Sequence, residues 1–324
     1  MGQFILNRIL IAIPVLIGVT LLSYVLVELA PGDPVTAFID PITRAQLGED
    51  WVEMRREQLG LHEPVTTRYV LWVRELAQGN LGFSLISGQS VGEQILNRIG
   101  PTSLLMGAAL IIGTLIGIPL GILSAVRQYS VLDYITTIGG FMTISTPSFF
   151  LGLGLVYLFA VRWRIFPSSG MRTLGQDDSA TDLIRHMILP VTVLSIAQVP
   201  LVMRYARSTM LEVLRQDYMT TARAKGLRER TVLTIHAFRN ALIPLITIVG
   251  LSLPELLSGA VIVETIFQWP GMGMLAISSV SARDYPVILG VILVTATMVL
   301  LSNLLADMLY AVADPRIRLQ GRKR

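Results

Sequence analysis

One pentapeptide of this 324-residue chain matches the consensus around a hydrolase nucleophile, and the chain holds three histidines. The pentapeptide, Gly88–Gly92, would place Ser90 as the attacking group. A nucleophile elbow needs a strand, a sharp turn and a helix inside a large α/β domain, followed by an acid and a histidine. Ser90 lies instead in a loop with no hydrolase-sized domain around it, so a membrane-embedded hydrolase is kept only as an alternative. The histidines, His62, His186 and His236, are too scattered to predict a metal site. We predict no catalytic residue and no metal ligand.

The sequence also lacks a nucleotide-binding loop. Its consensus, G-x-x-x-x-G-K-[ST], supplies glycine amides and a lysine to the phosphates of ATP. We therefore predict no cofactor in this chain, and any ATP-driven work must be done by a separate subunit that binds Mg-ATP. The chain has no cysteine, which excludes disulfides and thiolate metal sites.

The composition indicates a membrane protein. Apolar residues make up 52% of the chain and charged residues only 15%, whereas about a quarter of a soluble domain is charged. A helical span needs about 20 mostly apolar residues to cross a hydrocarbon core of roughly 30 Å. The uncharged runs of that size are Ile9–Val27, Ile99–Val126, Tyr134–Val161, Met187–Met203, Asn240–Val263 (interrupted only by Glu255) and Tyr285–Ala306. None alternates as the strands of a membrane barrel do. We predict an all-α membrane protein with six transmembrane helices.

Basic residues predict the orientation, because cytoplasmic loops carry the excess of Lys and Arg. Fifteen of these residues fall in the segments that are cytoplasmic if the N-terminus is inside, and five fall in the two short outer loops. We therefore expect both termini in the cytoplasm. The same bias accounts for the net charge of +4 without a nucleic-acid partner.

The long loop 31–97 then faces outward and is predicted to form a small lid. One segment of it has the periodicity of an amphipathic helix, after the helix-start signals Pro64 and Thr66. Its apolar positions are Tyr69, Trp72, Val73 and Leu76. We expect these positions to form the packing face of the lid rather than a binding platform.

Small residues and prolines in the apolar runs predict where helices pack closely and where they bend. Glycines recur at four-residue spacing and would let another helix approach closely, either within the chain or across a dimer. They are Gly113, Gly117 and Gly121. Prolines in or near the runs predict kinks. They are Pro119, Pro190, Pro200, Pro244 and Pro254.

Ionisable residues inside spans are candidates for function by default. Glu28, Glu264 and Asp307 fall at the ends of runs, where water is near. Only Glu255 lies deeper, after Pro254. It could meet a cationic group of a substrate in a central cavity, or make a buried hydrogen bond to a neighbouring helix. A proton-coupled carrier would show more such groups and inverted repeats, so that class is a weaker alternative.

The most basic loop, between the fourth and fifth runs, contains a short predicted helix. Asp217 is predicted to cap its start, and Gly226 to end it in a left-handed conformation. Such a helix has about eight residues and spans roughly 12 Å, and it needs something to pack against. It could dock in a groove of a partner, or lie against lipid headgroups. Its small residues, which would permit a close fit, are Thr221, Ala222 and Ala224.

Two stretches of this loop, TARAKG and RNALIP, resemble the EAA loop of the permease subunits of ATP-binding-cassette (ABC) importers. The family pattern is Glu-Ala-Ala, then a glycine, then Ile-x-Leu-Pro. Here Thr220 stands at the glutamate position, and Thr221 and Ala222 stand at the alanines. Gly226 is the glycine, and Ala241–Pro244 closes the motif. The departure from the literal Glu-Ala-Ala is one associated with the peptide-type branch.

Other stretches resemble the dipeptide, oligopeptide and nickel permeases, so that the resemblance covers nearly the whole chain. They are LAPGDP (Leu29–Pro34), LGLHEPVTTRYVLWV (Leu59–Val73), FQWPGMG (Phe267–Gly273) and RDYPVI (Arg283–Ile288). The resemblance implies a type I ABC importer permease fold and the import of short peptides across the bacterial inner membrane. Nickel chelates, glutathione and oligosaccharides are alternative substrates within the same family.

In this family the EAA segment is a coupling helix, which sits in a cleft of a cytoplasmic ATPase and moves when the paired ATPases close. The resemblance carries the ATPase contact over to Asp217, Tyr218, Thr221, Ala222, Arg223, Ala224 and Gly226. The short inner segment Arg127–Asp133 is expected to make a second, smaller contact.

The resemblance also implies partners and a division of the chain. The partners are a second, homologous permease subunit in a heterodimer, two ATP-binding subunits and an extracytoplasmic binding protein. The division is a first transmembrane helix (1–30), the lid (31–97) and a core permease domain (98–324) with the coupling loop 208–244.

Overall fold

The computed structural model describes residues 2–30, 48–58, 60–173, 175 and 179–313. These residues are mostly helical, and the strand-like pairing among them is an isolated bridge between Phe83 and Ser90. The helices are α1 (Gly2–Glu28), α2 (Glu49–Gln58), α3 (Val65–Ala77), α4 (Val91–Val126), α5 (Val131–Ser145), α6 (Ser148–Leu155), α7 (Ala180–Leu214), α8 (Asp217–Ala224), α9 (Glu229–Thr231), α10 (Arg239–Leu251), α11 (Leu253–Ile266), α12 (Met272–Ser281) and α13 (Tyr285–Ala313). A π-helical segment, Val156–Arg162, follows α6, and another, Val232–Phe238, joins α9 to α10.

Several of these helices are long and apolar enough to cross a membrane. Within the described ranges four pass on their own, namely Leu6–Glu28, Val91–Val126, Ala180–Leu214 and Tyr285–Met308. Two bent pairs of helices also pass, so the structure offers four spans, or six if each bent pair is one span. The count of six, the side on which the termini lie and the orientation of the lid stay predictions.

The third apolar run, Tyr134–Val161, is not one continuous helix, and its prediction as a single span stays a prediction. Its two parts, Val131–Ser145 and Ser148–Arg162, meet at 99°. Pro147 lies between them and has no N–H to continue the helical ladder. A proline also disfavours helical dihedrals at the residue before it, and Thr146 is extended, with φ −95° and ψ 120°. Pro147 is therefore a signal in the sequence that predicts this break.

A second bend lies in the fifth apolar run, Asn240–Val263. The segments Glu229–Leu242 and Pro244–Leu251 meet at 47°, where the sequence predicts a kink at Pro244. A turn at Ser252 then separates α10 from α11, so this run too is more than one helix. The two prolines inside α7 do not break that helix.

The chain divides into two compact units. The first consists of Met1–Arg8, Thr102–Trp269 and Val299–Arg324, and the second of Ile9–Pro101 and Pro270–Met298. The predicted division at residues 30 and 97, which follows membrane topology, stays a prediction.

Inside the first unit, the glycine stripe of α4 packs against α7. A β-carbon on Gly113, Gly117 or Gly121 would lie 2.6 to 2.9 Å from a side-chain atom of α7. Real β-carbons do not approach other atoms so closely, so glycine is what permits this contact. Of the two uses predicted for the stripe, the structure shows the one within the chain.

Inside the second unit, the helix α3 of the predicted lid packs on α1 through aromatic rings. The ring centroids of Tyr69 and Trp72 lie 5.4 and 5.6 Å from that of Tyr24, distances typical of favourable aromatic pairs. The hydroxyls of Tyr69 and Thr20 are 3.0 Å apart. Val73, also predicted on this face, is exposed. The prediction that these positions serve the packing of the lid is confirmed for Tyr69 and Trp72.

Two of the acids predicted at span ends are partly exposed and form ion pairs. Arg68 lies 2.5 Å from Glu28, and Arg8 lies 2.9 Å from Asp307. Because both pairs are partly exposed to solvent, each contributes little to stability.

Candidate functional site

The helix predicted in the basic loop is present as α8, Asp217–Ala224, with eight residues. Its start differs from the prediction. Gln216 has the extended dihedrals of the capping position (φ −75°, ψ 147°) and makes no side-chain capping bond. Asp217 is already inside the first turn, so its predicted role as the cap is wrong. Its carboxylate still lies at the helix end where the dipole favours a negative charge.

The end of α8 agrees with the prediction. Gly226 has φ +74°, in the left-handed region, and its N–H donates to the Arg223 carbonyl at 2.9 Å. The Lys225 N–H donates to the Thr221 carbonyl at 3.1 Å. A β-carbon on Gly226 would meet no atom within 4 Å. The need for glycine here comes from the backbone conformation and not from a lack of space.

The inner face of α8 is buried in the first unit. Met219 and Ala222, one turn apart, have exposed fractions of 0% and 5%. They belong to an apolar cluster whose other buried members are Ala125, Ala206, Met210, Val232, Ala237, Ala241 and Leu245. Ala222 was predicted to contact a partner, but the structure places it in this cluster, where it attaches α8 to the rest of the chain.

The remaining predicted contact residues lie on the outer side of α8 or directly after its end. They are Asp217, Tyr218, Thr221, Arg223, Ala224 and Gly226, and all of them are exposed. Tyr218 is the largest apolar group among them, with 41% of its surface accessible. One face of the helix is thus anchored, and the other is available for contact.

The charge around α8 is mostly positive. Arg223 donates to both carboxylate oxygens of Glu229, at distances of 2.9 and 3.2 Å, and these bonds raise the pKa of Arg223 above its ordinary value. Lys225, Arg228 and Arg230 are exposed and form no ion pair with a described residue. An acidic surface would therefore find, next to α8, three cations that pair with no described residue.

The segment predicted to make a second contact, Arg127–Asp133, contains the turn between α4 and α5 and the first residues of α5. Ser130 caps α5 by accepting from the Asp133 N–H. Tyr129 is a large exposed group of the turn, with 73% of its surface accessible. It has φ +63°, which is uncommon for a residue with a side chain.

The residues considered for hydrolysis do not form a catalytic arrangement. Ser90 directly precedes α4 and is half-buried beside the bridge to Phe83, without the strands of an α/β domain in the described part of the chain. The His186 Nδ1 donates to the Asp182 carbonyl at 2.9 Å. Among the described residues there is also no group of three His, Asp or Glu that could hold a metal ion.

The structure bears differently on the two acids of the fifth run, Glu255 and Glu264. The side chain of Glu255, the candidate for the substrate path, lies outside the part that the structure describes. Glu264 was predicted near water at a span end, but it is fully buried, and that prediction is wrong. The Thr102 hydroxyl donates to its carboxylate at 2.6 Å. The sequence missed this contact because Thr102 and Glu264 are far apart in the chain.

The amino-acid sequence matches the profile of a protein family described as the binding-protein-dependent transport system inner membrane component. The match covers residues 117–319, and a profile of the N-terminal part of such components matches residues 1–105. The chain belongs to this family. This membrane component of binding-protein-dependent transport is not itself catalytic, and its several apolar helices are those of a multi-pass membrane protein.

Two bacterial permeases are similar to this family member over nearly their whole length. The oligopeptide transport system permease protein AppB of Bacillus subtilis (strain 168) is 43% identical, over 98% of this chain and 99% of AppB. The dipeptide transport system permease protein DppB of Escherichia coli (strain K12) is 40% identical, over 98% of this chain and 99% of DppB. The resemblance to ABC permeases of the dipeptide and oligopeptide type is thereby confirmed.

A solved structure supports the fold of this family member. A chain of the MetNI methionine ABC transporter, in an inward-facing conformation, aligns with a TM-score of 0.55 and 15% identity. The alignment covers 68% of this chain and 96% of that one. At this low identity the likeness concerns the fold alone.

Proposed function

We propose that this chain is one permease subunit of an ATP-driven importer in the bacterial inner membrane, and that α8 is its coupling helix. The observation that carries the proposal is the two-faced character of α8 in a chain of this family that lacks a nucleotide-binding loop. Met219 and Ala222 fix the inner face, while Tyr218 and nearby cations are exposed. A cleft of a separate cytoplasmic ATPase would receive the exposed face.

The proposed assembly has two permease subunits, this chain and a second, homologous one, which together enclose the translocation path. Two ATP-binding subunits dock beneath, and an extracytoplasmic binding protein delivers the substrate. Six spans with both termini in the cytoplasm, and a lid on the outer side, complete the arrangement. The Lys and Arg distribution supports this orientation, and Glu255 remains the candidate for the substrate path.

Short peptides are the proposed substrate. The similarity to AppB and DppB, whose names specify oligopeptide and dipeptide transport, supports this class. Nickel chelates, glutathione and oligosaccharides are alternatives within the same family. An ion-coupled secondary carrier is the alternative from another class, and it would need no ATPase partner.

The decisive experiment is a pull-down of the tagged chain from its native membrane in mild detergent, followed by mass spectrometry. We expect an ATPase and a second permease to co-purify with it, while an unrelated tagged membrane protein from the same cells brings down neither. Recovery of the chain alone in repeated, gently solubilised preparations would contradict the importer and favour the secondary carrier.

The two faces of α8 should respond differently to truncation. Tyr218→Ala removes an exposed ring, so we expect the affinity for the ATPase to fall about tenfold with little change in thermal stability. Met219→Ala leaves a cavity in a buried cluster and should instead lower the free energy of unfolding by about 2–5 kcal/mol. Titration of the ATPase and a thermal melt of both variants separate these effects. If Tyr218→Ala bound the ATPase like the wild type, Tyr218 would not belong to the contact.

A further inference from the structure

We infer that the ion pair between Asp133 and Arg207 holds the Tyr129 turn and the helix α8 together as one lever, so that the two segments move as a unit. This inference rests on the proposed function, in which both segments face the ATPase. Asp133 and Arg207 are then positioning residues: neither touches the ATPase, and each fixes a segment that does.

Asp133 is the centre of the arrangement. Its side chain is almost fully buried, and its two carboxylate oxygens accept from Arg207 Nε at 2.8 Å and Nη2 at 2.9 Å. The Ser124 hydroxyl also donates to Asp133. Such a two-pronged bond between a guanidinium and a carboxylate fixes direction as well as distance. The start of α5 is therefore held in one orientation against α7.

The same carboxylate fixes the Tyr129 turn. Its second oxygen accepts the backbone N–H of Tyr129 at 3.0 Å. Tyr129 has the unusual φ of +63°, and such a conformation persists only where its surroundings enforce it. Asp133 supplies that restraint, and the exposed ring of Tyr129 is presented in one position as a result.

Arg207 connects this turn to α8 through the rigid body of α7. Its neighbour Ala206, and Met210 one turn further, are both fully buried in the apolar cluster that also contains Met219 and Ala222. The same stretch of α7 lies against Gly121 of α4, where a β-carbon would be 2.6 Å from Ala206 Cβ and 3.0 Å from the Arg207 backbone nitrogen. Packing this close transmits displacement because close-packed interiors are hard to compress.

These contacts form a continuous path from Tyr129 through Asp133 and Arg207 to Met219. Every member of it lies in the first unit. An ATPase that pushes on α8 would also displace the Tyr129 turn. Both contacts would then move with the same conformational change of the ATPase. Without the ion pair, the Tyr129 turn would be held less firmly to α7, so the turn and α8 would move together less closely and hydrolysis would be less tightly linked to transport.

The test uses the complete transporter in proteoliposomes and measures peptide transported per ATP hydrolysed. Asp133→Asn and Arg207→Lys weaken the pair while changing few atoms. We expect this ratio to fall about fivefold in each variant, with the amount of bound ATPase unchanged. Arg204→Lys is the matched control, since Arg204 is an exposed arginine of the same helix without a carboxylate partner among the described residues, and its ratio should equal that of the wild type.

Hydrogen exchange gives a second readout, which a purely local role of the pair would not change. In Arg207→Lys, exchange should accelerate both in the Tyr129 turn and in α8, while the lid helix α3 exchanges as before. An unchanged transport ratio, or acceleration confined to the turn, would overturn the lever. So would a failure of both pair variants to assemble, because the pair would then serve folding alone. Absence of an ATPase from the wild-type complex would instead overturn the proposed function. The exchange pattern alone would then decide whether the ion pair makes the Tyr129 turn and α8 move as a unit.

Discussion

Replacing Gly226 with valine is expected to abolish coupled transport while the chain still inserts into the membrane and assembles with the second permease. Gly226 has φ +74°, and a β-branched residue adopts that conformation only with strain of about 1–3 kcal/mol. The strain would be relieved by unwinding the last turn of α8, where Gly226 donates to the Arg223 carbonyl. The exposed face that meets the ATPase would then be lost. Uptake and ATP hydrolysis by the purified complex measure the effect.

Gly226→Asn is the matched control, because asparagine tolerates the left-handed conformation better than other residues with a side chain. No atom lies within 4 Å of the position that a β-carbon would take, so crowding does not distinguish the two variants. We expect the asparagine variant to retain most of the wild-type uptake. Equal uptake by the valine and asparagine variants would show that the conformation of Gly226 is not required for coupling.

The ends of α8 illustrate how far the sequence could predict this site. A glycine after eight residues with a helical pattern predicts a left-handed helix end by local rules alone, and the structure agrees at Gly226. The start was misassigned because Gln216, rather than Asp217, takes the extended conformation of the capping position. Boundaries of this kind shift by one residue when neighbouring segments constrain the chain.

The face on which each residue of α8 lies could not be derived from the loop sequence. Ala222 and Thr221 are both small, and only the apolar cluster of the folded chain decides that Ala222 is buried and Thr221 exposed. A local signal did exist, since Met219 and Ala222 stand three residues apart, on one side of a helix. Without knowledge of Met210 and the other residues beneath them, that spacing was too short to be informative.

Partners that are distant in the chain account for the other differences. Glu264 ends an apolar run and resembles an acid at the membrane surface, but its carboxylate accepts from Thr102, 162 positions earlier in the chain. Asp133 gave no signal beyond a place in a short turn, yet it pairs with Arg207. The fold class could be predicted from the sequence because the length of a membrane-spanning apolar run follows from the thickness of the bilayer. Pairings between helices depend on packing, which no single run specifies.

Gly121→Ala is expected to destabilise the chain strongly, because it overpacks the contact between α4 and α7. A β-carbon at Gly121 would lie 2.6 Å from Ala206 Cβ and closer still to the Met203 carbonyl oxygen. Backbone atoms cannot rotate away, so α4 and α7 would have to separate. We expect a loss of about 3 kcal/mol, at the upper end of the usual cost of overpacking. A thermal melt of the purified chain in detergent measures this loss.

Gly107→Ala provides the control in the same helix, because a β-carbon there would meet no atom within 4 Å. Alanine is also the better helix former, so this variant should be as stable as the wild type or slightly more so. The separation of α4 from α7 would in addition displace Arg207, which α7 carries to Asp133. We therefore expect the fraction of Gly121→Ala that still folds to transport less peptide per ATP hydrolysed. Equal melting temperatures for the two alanine variants would mean that α4 and α7 do not pack through their glycine stripe in the membrane.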